Sequence, residues 1–207
     1  MIRTDDDFSD AVEHAVRQAE KGTTAELVVV VAARSGSYLD VALAVGAATS
    51  MLVLAGALFA PAMFRPAAVA VEVPLVLALA AWLSHRTPGL LRRLTPVRRM
   101  AEQVERAASA RFLEEAVHGT RSRTGLLIYL SLLEERVVLI ADLGLEGLVP
   151  KAAWQGVRWS ETGGSGGPRD QAGVIRGIGE IGDILRAHAP GEDQDGNESP
   201  DAPRILA

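Results

Sequence analysis

Residues 120–146, TRSRTGLLIYLSLLEERVVLIADLGLE, decide the fold of this chain. The stretch contains two strongly apolar segments, 126–132 and 136–141, on either side of a polar bend at Glu134 and Glu135. Apolar residues occupy both alternating faces of each segment, which predicts a β-hairpin that helices cover on both sides. The bend has ordinary turn chemistry, so we expect both glutamates to be solvated.

Helices and one further strand are predicted around the hairpin. Apolar residues recur every three or four positions in residues 6–20, 96–118 and 170–188, which is the pattern of helices with one buried face. Residues 25–33, AELVVVVAA, are apolar and β-branched at consecutive positions, as in a central strand that is covered on both faces. The sequence therefore predicts an α/β fold with a small sheet sandwiched by helices.

The composition narrows the class of protein. A chain of 207 residues has room for one ordinary domain and additional segments. The net charge of −5 does not suggest a nucleic-acid partner. The absence of cysteine excludes a disulfide framework and thiolate chemistry. Because the N-terminus is acidic and has no apolar run behind a basic start, we do not predict a signal peptide there.

Two long apolar segments follow the first strand. Residues 41–60 carry no charge, and as a helix they would cross a hydrocarbon core of roughly 30 Å. Residues 67–83 are a second, shorter apolar segment that holds Glu72 and Pro74. Two such segments in tandem predict an inserted transmembrane hairpin, although two buried helices of a soluble protein are the alternative. Glu72 is then a functional candidate or an interfacial charge near the turn.

Arginines are concentrated at one end of this hairpin. The turn between the two segments has a single base, Arg65. Residues 73–101 have no acid and five bases: Arg86, Arg92, Arg93, Arg98 and Arg99. The positive-inside rule then predicts an integral protein of the inner or cell membrane, with its soluble segments in the cytoplasm. The same arginines suit anionic lipid headgroups, with a solvated basic face as the alternative.

The predicted organisation is one domain built from two segments of chain. Residues 1–37 and 85–189 form the α/β domain, and the transmembrane hairpin at 38–84 separates them. Residues 190–207 form an acidic tail that we expect to be disordered, because it is polar and contains proline. Residues 163–168, GGSGGP, are predicted to form a flexible loop.

Few motifs carry chemistry. Residues 177–182, GIGEIG, match the dinucleotide-binding pattern GxGxxG by letters, but that pattern needs a preceding strand and a helix that opens within it. Because these residues lie inside a predicted helix, we interpret the glycines as positions of close helix packing. Nothing else in the sequence assembles a nucleophile, a base and an orienting group.

Asp142 and Glu146 are the predicted metal ligands. Asp142 follows the second hairpin strand, and Glu146 lies four residues further on. Carboxylates at the exit of a strand, together with backbone oxygens and water, suit a hard cation, so calcium and magnesium are the candidates. A turn at residues 142–144 also needs no ligand to explain an aspartate and a glycine.

Three blocks of sequence carry a family resemblance. They are TAELVVVV at residues 24–31, the stretch 108–146, and GPRDQAGVIRGIGEIGDIL at residues 167–185, and residues 124–144 are the most specific part. These blocks resemble the TPM-domain family in its bacterial membrane-protein form. The resemblance implies a compact α/β domain with a small sheet between helices. It links the chain to assembly and repair of membrane complexes, to calcium binding and to acid phosphatase activity.

We therefore expect a membrane-anchored accessory or scaffold domain without catalytic activity. Its partners would be the lipid bilayer and a membrane protein complex, and a divalent metal is a further prediction. The alternative is a metal-dependent acid phosphatase, which the resemblance alone implies. A phosphatase needs clustered carboxylates, so Asp142 would have to meet Glu26 or Glu146 in the fold. A transporter would need Glu72 to face a polar cavity.

Overall fold

The structure, a computed structural model, describes most of the chain. The described residues are 2, 4–59, 66–120, 122–159, 167–168, 170–191 and 201–206. They belong to two compact units: Met1–Ser35 with Ala101–Ala207, and Gly36–Met100.

The chain alternates helices and strands. In order, the elements are α1 (Asp6–Glu20), β1 (Glu26–Ala32), α2 (Leu39–Phe59), α3 (Pro66–Arg86), α4 (Pro88–Leu94), α5 (Val97–Glu114), a short 3-10 turn (Val117–Gly119), β2 (Gly125–Ser131), β3 (Arg136–Ala141), α6 (Leu143–Leu148), α7 (Lys151–Gln155), α8 (Gln171–His188) and β4 (Arg204–Leu206). The predicted strands and long helices are all present, with their ends shifted by a few residues at most positions.

The four strands form one mixed sheet in the order β3-β2-β1-β4. β1 pairs in parallel with β2, from Glu26 opposite Gly125 to Ala32 opposite Ser131, and it pairs in parallel with β4 on its other side. β2 and β3 form the antiparallel hairpin predicted from the sequence. The position of β1 between two neighbours explains why its residues are apolar on both faces.

Helices cover both faces of the sheet. On one face, α1 and α8 pack against Leu27, Val29 and Val31. On the other face, α5 packs against Val28 and Val30. Burying an apolar side chain of this size stabilises the fold by about 1.5–3 kcal/mol, so these two layers supply much of the stability of the unit. The expected α/β fold with a sheet sandwiched by helices is confirmed.

The second unit is dominated by α2 and α3, which pack against each other. Small residues on one side of α2 make the contact, because Ala42, Gly46 and Ser50 are buried at every fourth position. A Cβ atom at Gly46 would lie 2.6 Å from the backbone oxygen of Leu77. Glycine at this position therefore allows the two helices to approach closely.

The C-terminal tail differs from the expectation. Residues 192–200 lie outside the described part of the chain, but Arg204–Leu206 form β4 at the edge of the sheet. The backbone N–H of Ala33 donates to the Leu206 oxygen at 3.0 Å, and the Arg204 guanidinium donates to Glu115 at 3.0 Å. Composition indicated disorder, whereas three residues at the end of the tail add a strand because the edge of β1 is available.

Two local expectations are corrected. The helix predicted at 96–118 ends at Glu114, because Ala116 adopts a left-handed backbone conformation with φ of 52°. The segment after β3 is a helix rather than a turn, since Asp142 caps α6 and Leu145 is buried beneath it. The short helices α4 and α7 were not predicted. The loop proposed at 163–168 lies outside the described residues except for Gly167 and Pro168.

Candidate functional sites

Asp142 is the first of the predicted metal ligands, and it is almost fully buried. Its Oδ1 accepts a hydrogen bond from the backbone N–H of Leu143 at 2.8 Å. Its Oδ2 lies 2.9 Å from Nε of Arg123, in an ion pair whose angle falls outside hydrogen-bond geometry. The loop is tight here, because a Cβ atom at Gly144 would lie 2.5 Å from the Arg123 oxygen. These contacts give Asp142 a structural role at the start of α6.

Glu146 has a different environment. Its side chain is 52% exposed, and its carboxylate lies 4.0 Å from the ammonium of Lys151. Both residues line a cleft of about 250 Å³ against Leu126, Val149 and Trp154. Within the described ranges, no group of three or more His, Cys, Asp or Glu side chains is placed to hold a metal ion. The Asp142–Arg123 ion pair does not fit a cation site, so the metal site stays a prediction from the sequence.

The pairing of the strands relates Glu26 to Asp142, the two acids that a phosphatase would need to bring together. The strand register places Glu26 beside Gly125, and Asp142 donates its backbone N–H to the Gly125 oxygen at 2.8 Å. The two acids therefore flank Gly125. A Cβ atom at residue 125 would overlap the Val117 carbonyl, so Val117 lies directly over this glycine.

A buried polar cluster lies at the opposite end of β1 and β2. It comprises Ser35, Tyr129, Ser131 and Glu134, and we call it the serine–glutamate cluster. The backbone N–H of Ser35 donates to Glu134 Oε1 at 3.0 Å, and the Ser35 hydroxyl donates to Ser131 Oγ at 2.6 Å. The Ser35 hydroxyl also lies 3.1 Å from the Tyr129 hydroxyl, and Ser131 donates to Glu134 Oε2.

The cluster corrects the expectation that Glu134 is solvated. Glu134 is 4% exposed and Ser131 is 2% exposed. Burial raises the pKa of the Tyr129 hydroxyl, the hydrogen bond with Ser35 opposes that effect, and the charge of Glu134 adds to it. Sequence reasoning missed the cluster, although Tyr129 and Ser131 are polar residues two apart on an otherwise apolar strand.

Ligands of α/β proteins bind beyond the carboxyl ends of parallel strands, which is where this cluster lies. Here, however, Ser35 and Ser131 take up both oxygens of Glu134. The cluster therefore satisfies its own buried polar groups. Its effect is to fix Ser35, the last residue of this unit before Gly36.

Glu20 is a further carboxylate whose pKa is raised in the folded chain. Its Oε1 accepts the backbone N–H of Leu27 at 2.7 Å, which links the end of α1 to β1. Burial raises the pKa of Glu20 to about 8; the bond from Leu27 opposes this, and the charges of Glu26 and Asp201 reinforce it. The carboxylate is partly buried and bonded to the backbone, so its role is structural.

The GxGxxG segment lies inside α8, as expected from its apolar periodicity. A Cβ atom at Gly177 would overlap the ring of Trp159. A Cβ atom at Gly182 would lie 2.7 Å from Cα of Ala19 in α1. By contrast, no atom of the described residues outside its own stretch of helix backbone lies within 4 Å of a Cβ atom at Gly179. Two of the three glycines are thus packing positions, and no strand leads into the motif.

The second unit carries a different kind of surface. α2 and α3 are both long and apolar enough to cross a membrane. Their exposed large apolar residues include Met51, Leu52, Leu58, Val71, Leu75, Leu79 and Leu83. Glu72 is exposed on α3. Arg65, the base in the turn near Glu72, lies outside the described residues.

Aromatic and arginine side chains are paired near the start of α2 and the end of α3. The Arg86 guanidinium lies 5.4 Å from the ring centre of Trp82, and that of Arg99 lies 5.8 Å from the ring centre of Tyr38. Arg99 also donates to both carboxylate oxygens of Asp40, at 2.6 and 2.9 Å. Amphipathic rings beside arginines are typical of a membrane–water interface.

Comparison with known proteins supports the fold. The structure is similar to the NMR structure of the BA42 protein from the psychrophilic bacterium Bizionia argentinensis sp. nov., with a TM-score of 0.53. The match covers 96% of this chain and 92% of BA42, at 16% sequence identity. At this identity the similarity concerns the fold alone. No family profile matches the chain, and no curated protein does.

Proposed function

We propose that this chain is an integral membrane protein of the inner or cell membrane. In this proposal, α2 and α3 span the bilayer. The α/β unit acts on the cytoplasmic side as a non-catalytic accessory or scaffold domain of TPM type, and it binds a membrane protein complex.

The exposed apolar surface of α2 and α3 is the observation that carries the proposal. Only 17% of the most apolar window of α2, and 11% of that of α3, is buried. A core helix of a soluble protein would be mostly buried instead. Leaving a leucine in water rather than burying it costs about 1.5–3 kcal/mol, and so many exposed apolar side chains on two helices would promote aggregation. A bilayer removes this cost, because lipid chains contact the same side chains.

The arginine distribution supports the orientation. Five arginines lie at positions 86–99, the first of them at the end of α3 and the others after it, and residues 73–101 contain no acid. Positive residues next to a span favour the cytoplasmic side. Both α1 with β1, and α5 with the rest of the chain, then leave the membrane on that side.

The contacts of the acids support an accessory role over a phosphatase. Asp142 is paired with Arg123, and Glu146 lies 4.0 Å from Lys151. A metal-dependent phosphatase would need its carboxylates to surround an open site. Among the described residues, no three His, Cys, Asp or Glu side chains are placed to hold a metal ion.

Single cysteines test the membrane proposal, because the chain has none of its own. Leu52→Cys lies in the middle of α2, and Ser109→Cys is exposed on α5. A membrane-impermeant maleimide should label Ser109→Cys only after cells are opened, and it should label Leu52→Cys in neither case. Labelling of Leu52→Cys at the rate of Ser109→Cys would contradict a membrane span.

Two further measurements test the accessory role. The purified full chain in detergent should hydrolyse p-nitrophenyl phosphate no faster than its Asp142→Asn variant, with either calcium or magnesium present. Chemical cross-linking in native membranes should give defined adducts between the α/β unit and other membrane proteins. Hydrolysis that Asp142→Asn abolishes would favour the phosphatase, and adducts of the chain with itself alone would contradict a scaffold.

A further inference from the structure

α4 and the start of α5 place charged and apolar side chains on one short stretch. α4 follows α3 after a single residue, Thr87. Leu91 is buried and holds α4 in place, with 3% of its surface exposed. Leu94 and Val97 are 48% and 67% exposed, although they are large and apolar. Arg93 lies immediately before Leu94 in the sequence and is exposed as well.

This end of the second unit also has an excess of positive charge. Residues 36–100 contain two acids, Asp40 and Glu72, and Glu72 belongs to the early turns of α3. Arg99 neutralises Asp40 through two hydrogen bonds. The sequence from Arg86 to Arg99 therefore holds five arginines and no acid.

From this combination we infer that the stretch is a docking surface for the headgroups of anionic phospholipids. Its residues are Arg86, Arg92, Arg93, Leu94, Val97 and Arg98, which we call the arginine collar. The inference rests on the proposed membrane span, and it adds a preferred lipid class to it. The lipid is an anionic phospholipid within the bilayer, such as phosphatidylglycerol.

The chemistry of the collar matches that ligand. A guanidinium presents a fork of donors that pairs with two phosphate oxygens at once. Leu94 and Val97 would enter the boundary between headgroups and acyl chains, as apolar residues of interfacial helices do. Trp82, with Arg86 over its ring, marks the depth of that boundary. Each arginine near an anionic surface contributes about fivefold in affinity for it.

Energy transfer to labelled lipids tests the inference on the full chain. A fluorophore is attached at Thr87→Cys, an exposed position between α3 and α4, and the protein is reconstituted in vesicles of phosphatidylcholine and phosphatidylglycerol. In one set of vesicles a trace of the phosphatidylglycerol carries an acceptor fluorophore on its headgroup, and in the other set a trace of the phosphatidylcholine carries it. Transfer to phosphatidylglycerol should exceed transfer to phosphatidylcholine. The preference should fall roughly twentyfold in R92Q/R93Q, and it should also fall with added salt in the labelled protein that keeps its arginines.

A matched charge control and an independent probe separate the possible failures. R106Q/R158Q removes two exposed arginines from the first unit and should keep the lipid preference. Equal transfer to both lipids, or an equal loss in both double variants, would overturn the inference. A separate fluorophore at Leu52→Cys should be quenched by brominated acyl chains in every variant. Failure of that quenching would contradict the membrane span itself, whatever the lipid preference.

Discussion

The backbone N–H of Ser35 donates a hydrogen bond to Oε1 of Glu134 across a sequence separation of 99 residues. The bond joins the exit of β1 to the turn between β2 and β3. Ser131 donates to the other oxygen of the same carboxylate, so one buried glutamate holds two strand ends together. A bend that looked solvated from its sequence is in fact a buried junction of the sheet.

Removal of the Glu134 carboxylate should destabilise the fold strongly. Glu134→Ala leaves the Ser35 N–H and the Ser131 hydroxyl without an acceptor, and each buried donor costs about 1–3 kcal/mol. We expect a loss of roughly 3 kcal/mol in the free energy of unfolding, and about 1 kcal/mol for Glu134→Gln, which keeps an acceptor. Thermal unfolding of the full chain in detergent, followed by circular dichroism, measures both. Ser109→Ala, at an exposed serine, is the control and should change the stability little; an equal effect of all three would contradict the cluster.

Two glycines of α8 should respond in opposite directions to alanine. Gly177→Ala places a methyl group against the Trp159 ring, and overpacking of this kind costs about 1–3 kcal/mol. Gly179→Ala meets no neighbour and should stabilise the helix by about 0.5–1 kcal/mol, because alanine has the higher helix propensity. Thermal unfolding of the two variants measures the difference. Equal melting temperatures would contradict the packing interpretation of the GxGxxG segment.

Close packing of α2 and α3 should depend on Gly46. Gly46→Leu forces the new side chain against the Leu77 backbone. It should lower the free energy of unfolding, measured in detergent, by about 1–3 kcal/mol. Gly56→Leu is the matched control in the same helix, because no atom of the described residues outside its own stretch of helix backbone lies within 4 Å of its Cβ position. The control should unfold like the native chain. If Gly56→Leu were the more harmful of the two, the helix contact would have to lie on another face.

Stability should depend on pH through Glu20. The pKa of this carboxyl rises from 4.5 to about 8 in the folded chain, so the folded state retains a proton that the unfolded state releases. The stabilisation is complete below about pH 4.5 and is lost as the pH rises through about 8. The expected size is on the order of 2 kcal/mol.

Glu20→Gln should remove this dependence. Glutamine keeps an oxygen that accepts the Leu27 N–H, and it does not titrate. Melting temperatures between pH 5 and pH 9, compared between the native chain and the variant, give the measurement. Asp183→Asn is the control at an exposed acid and should follow the native chain. If the variant kept the pH dependence of the native chain, that dependence would have to arise from a group other than Glu20.

Divalent cations should leave the melting temperature unchanged. Arg123 already neutralises Asp142, and a cation there would have to displace the guanidinium. Titration of the full chain with calcium, and separately with magnesium, tests this expectation. A rise in melting temperature that Asp142→Asn abolishes, and that Asp183→Asn keeps, would support the metal site predicted from the sequence.

The sheet and its helices were predictable because their patterns are local. Alternating or consecutive apolar residues mark β1 and the hairpin, and a periodicity of three to four residues marks α1 and α8. Asp5 accepts the backbone N–H of Phe8 at 3.1 Å, and Asp170 accepts that of Gly173 at 2.8 Å, so both helix starts follow ordinary capping chemistry.

The missed features depend on residues far apart in the chain. Glu134 is buried because Ser35 and Ser131 meet it, and nothing near residue 134 in the sequence indicates Ser35. The sequence does not reveal the ion pair of Asp142 with Arg123, because Arg123 precedes β2 and Asp142 follows β3 along the chain. β4 is three residues long, too short to show any periodicity.

The parallel pairing of β1 with β2 has a consequence for biosynthesis. β1 leaves the ribosome about 100 residues before its partner, and the two apolar helices are made in between. At roughly 5–20 residues per second, β1 waits for several seconds or longer before α5 can cover one of its faces, and only α1 is already available for the other. β4 follows the other three strands in the sequence and is made after them. The order of synthesis is therefore fixed: α2 and α3 are made before β2 and β3, so the sheet cannot assemble until both apolar helices have been synthesised.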